Sequence, residues 1–226
     1  MSRMRRSLTA GLMTVLLVGC AGPSAGPVAA PPSSGTPSGS TTGRPVDARD
    51  AERLQRVMAP LIRAMDHPRP LNTVKVGIMD DEHINAANAG GGEFYVTRGL
   101  LEKANDQQLM AVLAHEIAHE DLSHVAKAQT LGAGLNIGMV ILDQIVPGSG
   151  ALSPIAGQLI SRGYSRREEF QADAHGADLL SRVGSSKQAM IDTLQWLVQV
   201  EGTSPGGFFA THPATGDRIE ALRSAR

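Results

Sequence analysis

Apolar positions change their period along the chain, and the changes mark out the elements. Leu54, Val57, Met58, Leu61, Ile62 and Met65 recur at helical spacing, which predicts an amphipathic helix over 48–66, stopped by Pro68 and Pro70. Val74, Val76 and Ile78 then alternate, the two-residue period of a strand. A second extended piece over 84–89 and a third over 93–97 flank a Gly90-Gly91-Gly92 turn. Beyond Gly99 everything reads as helical. Asn105 with Gln108 three residues on opens a helix to about Lys127, and Ser165 with Glu168 opens another that ends near Gly184. Leu131 to Val146 reads as a Gly-rich apolar helix broken by Pro147, Gly148 and Gly150, with a short segment over 152–162 after it. Residues 187–201 form a further helix through Met190, Leu194, Leu197 and Val198, and Pro213 falls in the first turn of a last helix to about Ala225. A strand meander followed by helices gives an α+β fold, a small sheet with helices on one side.

The residues before Asp47 carry no such pattern. Arg3, Arg5 and Arg6 precede an apolar run, Leu8 to Val18, that is too short to span a bilayer comfortably and has the form of a secretory signal. The run ends in Leu17-Val18-Gly19-Cys20, which resembles a bacterial lipobox, with Cys20 the lipidated first mature residue. Cys20 is the only cysteine, so no internal disulfide forms, and lipidation accounts for an otherwise odd exported thiol. Ala21 to Pro45, rich in Pro, Gly, Ser, Thr and Ala, cannot bury enough surface to fold and reads as a flexible tether. The expected organisation is therefore 1–19 signal peptide, 20–46 tether and 47–226 folded domain. Ala21 rather than Asp follows the cysteine, so in a host with two membranes the anchor is expected on the outer one, facing the periplasm. With 21 Lys and Arg against 22 Asp and Glu, there is no basic surplus to engage nucleic acid. Asp143 and Pro147-Gly148 interrupt 131–160 too strongly for a membrane span. A helix packed over a cleft, a mobile lid and a membrane-surface contact stay open there.

The chemistry concentrates in His115-Glu116-Ile117-Ala118-His119. Histidines at i and i+4 share one helical face and can reach one zinc, while Glu116, about 100° around the helix, is placed to act on a water rather than to bind the metal. That is the division of labour of a hydrolase, with the metal polarising the scissile carbonyl and the glutamate taking the proton. Leu109, Val112, Leu113 and Ile117 bury the same helix, and a buried His-Glu-His requires a reason. A catalytic site needs a third protein ligand and one open position. No other histidine has the spacing for it; His124, five residues past His119, falls on a different face. A carboxylate in Glu168-Glu169-Phe170-Gln171-Ala172-Asp173 fits best. Glu168 is taken by the helix cap, whereas Glu169 and Asp173 share a face, one for the metal and one to accept from the outer nitrogen of a ligand histidine.

His115-Glu116-x-x-His119 followed by Glu169-x-x-Ala172-Asp173 resembles the gluzincins of peptidase family M-48, the HtpX-like and CAAX-prenyl-protease-like group, nearest to its periplasmic lipoprotein members. Asn85-Ala86, Tyr95 to Leu101, Ser165-Arg166 and Thr211-His212-Pro213 with Arg218-Ile219 extend the likeness over about 48–225. The resemblance implies a minimal gluzincin fold, Glu169 as third ligand of a single Zn2+, an edge strand within 84–97 beside the cleft, and His212 near the metal. His212 is then an oxyanion donor, a plug in the open coordination position or a structural residue. Arg218 either pairs with a carboxylate near the site or lies on the surface. The implied activity is zinc-dependent endoproteolysis of unfolded or misassembled envelope proteins. The competing reading is an edge-strand-binding assembly factor for outer-membrane proteins, working with outer-membrane assembly machinery and keeping its zinc site latent. A purely structural zinc site fits poorly, because it has no use for Glu116.

Overall fold

A computed structural model of the protein describes residues 46–124, 137–141, 144–148, 163–202, 207–213 and 216–225. The expected signal, lipidation site Cys20 and nearly all of the tether lie outside these residues, as do 131–136 and 152–162. Val46, at the tether's end, is buried against the core.

Helix α1 (Ala48–Ala64) is capped by Asp47, whose side chain accepts from Arg49 N–H. It buries Leu54, Val57, Met58, Leu61 and Ile62 as the periodicity requires. Strands β1 (Lys75–Met79), β2 (Ala86–Gly90) and β3 (Glu93–Thr97) form a mixed sheet in which β1 runs parallel and β2 antiparallel to β3. The β2–β3 turn needs glycine, since Gly90, Gly91 and Gly92 all have φ between 67° and 82°. Thr97 ends β3 and caps the short helix α2 (Arg98–Lys103). Helix α3 (Asp106–Asp121) opens on the Asn105/Gln108 capping box and is buried around most of its circumference. It therefore forms the centre of the domain, between β2 and the later helices. Helix α4 (Arg166–Arg182) starts at the Ser165/Glu168 capping box and makes the most extensive helix contact of the fold with α3. Gly176 permits it: a Cβ there would lie 3.2 Å from the Ala114 backbone. Helix α5 (Lys187–Val200), the single turn α6 (Phe208–Thr211) and α7 (Gly216–Ser224) follow α4.

Three expectations are corrected. The helix expected over 131–146 is absent where the chain is described: β4 (Ile137–Ile141) and β5 (Gln144–Gly148) are strands, β4 paired antiparallel with β1 and β5 antiparallel with β4, to give the order β2-β3-β1-β4-β5. An apolar run cannot by itself distinguish the two states. β-Branched Ile137, Val140, Ile141, Ile145 and Val146 with Gly138 favour the strand, and β1 offers an edge to pair with. The helix expected to reach Lys127 ends at Asp121, and Ser123 turns the chain with a φ of 56°. The last helix begins at Gly216, not at Pro213. A residue before proline is forced out of the helical region, and His212 accordingly sits at φ −120°, ψ 85°, ending α6. Among the described residues no helix is long and apolar enough to cross a membrane.

Candidate metal centre

The α3–α4 contact brings the two sequence motifs face to face. From α3 come His115, Glu116 and His119; from α4 come Glu169 and Asp173; α6 delivers His212 at its end; all are at most 1% exposed. One ligand atom each from His115, His119, Glu169 and His212 lies within 4.8 Å of all the others. The spacings are 3.1 Å between His115 Nε2 and His119 Nε2, 3.3 Å between His119 Nε2 and Glu169 Oε1, and 3.5 Å between His115 Nε2 and Glu169 Oε2. His212 Nδ1 lies 3.3 Å from His115 Nε2 and 3.1 Å from Glu169 Oε1. Donors held 2.0–2.1 Å from a tetrahedral zinc are separated by about 3.3–3.4 Å, so the set has the dimensions of that coordination shell.

Two further observations test whether a cation fits. Both carboxylate oxygens of Glu116 are buried without a hydrogen-bond partner, although His212 Nε2 stands 3.2 Å from Oε1. Such oxygens are costly unless a cation or a water serves them. In formal charge, Glu116, Glu169 and Asp173 face one buried arginine, Arg218, and a divalent ion would balance the remaining two negative charges.

Around the donors lies a layer that fixes them. Asp173 Oδ1 is 3.0 Å from His115 Nδ1, an ion-pair distance off the best hydrogen-bond line. Arg218 grips Asp173 with Nε and Nη2, both at 2.7 Å, and places Nη1 2.6 Å from Glu169 Oε2. It is 1% exposed, which decides between the two roles left open for it: Arg218 pairs with carboxylates at the site and is not a surface residue. His124 stands on no common helical face with His119, yet its Nδ1 is 2.9 Å from His119 Nδ1. With His119 Nε2 facing the cluster, the proton belongs on Nδ1 and His124 accepts it.

These contacts set the protonation of the candidate ligands. Burial opposes charge on His115, but Glu169 and Asp173 outweigh it and push the imidazole up to about 9. Burial holds His119 well below its usual value, with neighbouring His115 and His212 adding to the effect. Glu169 resists the upward pull of burial because His212 and His115 hold it well below the usual carboxylate range. Asp173 is likewise lowered, against burial, by Arg218 and His115.

Sequence reasoning set His124 aside and missed Glu201 and Tyr164. Glu201 caps the end of α5, and its Oε1 accepts from Ile84 N–H ahead of β2. Its Oε2 fills the space beside Gly207, where a Cβ would meet it at 1.8 Å. One side chain thus bonds the approach to the edge strand and packs beside the glycine that precedes α6. Tyr164 stacks on His119, with centroids 3.6 Å apart. Only Glu201 left a trace in the sequence, as an acid directly after an amphipathic helix and before a glycine-rich stretch.

Two crossed helices that present His-Glu-x-x-His and a glutamate to one buried point, beside a mixed sheet, define the gluzincin class of metalloprotease domain. The chain belongs to Peptidase family M48, whose model matches residues 48–226. It is 28% identical to metalloprotease LoiP of Escherichia coli K12 over 62% of this chain and 58% of LoiP. It is 28% identical to metalloprotease YcaL of the same strain over 62% of this chain and 57% of YcaL. Against protease HtpX of Xanthomonas oryzae pv. oryzae PXO99A the identity is 28% over 82% of this chain and 77% of HtpX. The match thus spans less than two thirds of LoiP and of YcaL.

Proposed function

We propose that the protein is a zinc-dependent metalloendopeptidase acting on unfolded or misassembled envelope proteins. The observation that carries the reading is the buried donor set of His115, His119 and Glu169 with both oxygens of Glu116 left unpartnered beside it. Zinc held by those three residues supplies Lewis-acid polarisation of a carbonyl and a water acidic enough to attack near neutral pH. Glu116 takes the proton of the attacking water and passes it to the leaving amine. Asp173 and His124 orient the ligand imidazoles, and Arg218 holds both α4 carboxylates in place. Strand β2, at the sheet edge and against α3, offers its outward backbone groups to an extended peptide. The relatives, two metalloproteases and a protease, agree with this activity. The lipobox at Cys20 supports attachment to the envelope, and Cys20→Ser should release the protein into the soluble fraction.

One observation favours a second state of the same site. His212 Nδ1 takes a fourth place in the donor set, where an active centre keeps an opening. We infer a latent enzyme that opens when His212 withdraws. An assembly factor that never cleaves would keep this arrangement permanently. The deciding experiment is Glu116→Gln in the full chain, which should keep zinc, lose cleavage of an unfolded substrate and retain bound clients. If wild type cleaves no unfolded substrate but still binds it, the assembly-factor reading takes over.

A further inference from the structure

The outward edge of β2 is partly occupied by the protein's own side chains. Thr97 N–H donates to Asn85 O at 3.0 Å, so by the alternation of an antiparallel ladder Ala86 and Asn88 turn their backbone groups to the free edge. Asn85 Oδ1 takes the Ala86 N–H at 2.8 Å, and Asn88 Oδ1 takes the Gly90 N–H at 2.8 Å. The Tyr164 hydroxyl stands 3.5 Å from the Asn88 carbonyl oxygen, the long limit of a hydrogen bond. At its other side the Tyr164 ring lies flat on His119, the planes 19° apart. Tyr164 therefore bridges the helix that carries the donor set and the strand edge, across the gap that a strand-paired peptide has to enter.

The same residue is fastened to the His212 turn. Tyr164 N–H donates to Thr211 O at 3.0 Å, one residue before His212, and the Tyr164 and His212 rings are 5.2 Å apart. Gly163 makes the approach possible: its φ is +60°, and a Cβ there would lie 2.9 Å from Thr211 O. Asn88 also keeps a fully buried amide nitrogen, Nδ2, without a partner, so this stretch of the edge has an unused donor beside the contested carbonyl.

We propose that Tyr164 is a positioning residue that gates the cleft. It admits extended segments whose backbone N–H replaces its hydroxyl on Asn88 O, and its displacement draws on the turn that holds His212. The inference rests on the peptidase reading and names what a strand-paired segment has to displace on entering: the Tyr164 hydroxyl at Asn88 O.

The test measures binding, not turnover. Full-length protein carrying Glu116→Gln, loaded with zinc, is titrated against a fluorescent unfolded peptide and against the same peptide N-methylated at alternate residues. Adding Tyr164→Phe, which keeps the stack and removes only the hydroxyl, should tighten binding of the unmethylated peptide about twofold to tenfold, the worth of one net hydrogen bond. Tyr164→Ala should tighten it at least as much, and neither variant should improve binding of the methylated peptide. Equal or weaker binding by both variants, or the same gain for the methylated peptide, overturns the gate while leaving the peptidase reading intact. A parent protein that binds neither peptide removes strand capture itself, and the gate with it.

Discussion

Replacing Arg218 by methionine tests whether the centre is held from behind as the structure describes. The substitution keeps an unbranched apolar stem, shorter by two bonds, and removes the guanidinium with its charge. Arg218 makes a bidentate pair with Asp173 at 2.7 Å and a 2.6 Å contact with Glu169, among groups no more than 2% exposed. Water does not replace a partner lost at this depth, so two buried carboxylates are left short of compensation. Breaking a buried pair in this way costs about 3–5 kcal/mol, a large part of the 5–15 kcal/mol typical of a whole domain. For a domain of this size each kcal/mol lowers the melting temperature by about 2–4 °C, so a cost near ~4 kcal/mol should lower it by roughly 8–16 °C. The measurement is thermal unfolding by circular dichroism, with chelator and again with zinc. The zinc-loaded protein should lose less, because divalent charge beside Glu169 takes over part of the arginine's role. A drop below about 2 °C, the behaviour of an exposed arginine, would refute the argument, as would an identical drop in both forms.

Two further predictions concern the donors. Glu169 and Asp173 push the buried His115 imidazole up to about 9 from its ordinary 6.5, so its proton stabilises the metal-free fold fully below about 6.5, and that contribution disappears as pH rises through about 9. Binding zinc through Nε2 must displace this proton, so apparent zinc affinity should climb about tenfold per pH unit from pH 6.5 to 8.5 in chelator competition; a flat profile would contradict the protonation assigned to His115. His212→Ala should raise basal cleavage of an unfolded substrate with zinc retained, since His212 occupies the fourth place in the donor set; a fall of about tenfold to a thousandfold would instead make it an oxyanion donor.

How much of this was legible in the sequence follows from the range of each interaction. Helices α3 and α4 announce themselves within four residues: capping boxes at Asn105/Gln108 and Ser165/Glu168 fix their starts, and i, i+4 spacing puts His115 with His119 and Glu169 with Asp173. What lies between the helices is local to neither. The pairing of Arg218 with Asp173 spans 45 residues and depends on α7 folding back under α4, so pattern left its role undecided. His124 was set aside on helical geometry, which stops applying at Asp121, where the chain turns through Ser123 and brings the ring back to His119. Strands β4 and β5 were hidden for the opposite reason. Their composition suits a strand, but that preference is expressed only because β1 leaves an edge to pair with, a fact of tertiary structure. The residues that sequence alone identified are those whose chemistry is carried by spacing along one helix. Those it missed, Tyr164 and Glu201 among them, join separate elements: Tyr164 touches α3, the β2 edge and the turn before His212, and Glu201 joins the end of α5 to the approach to β2.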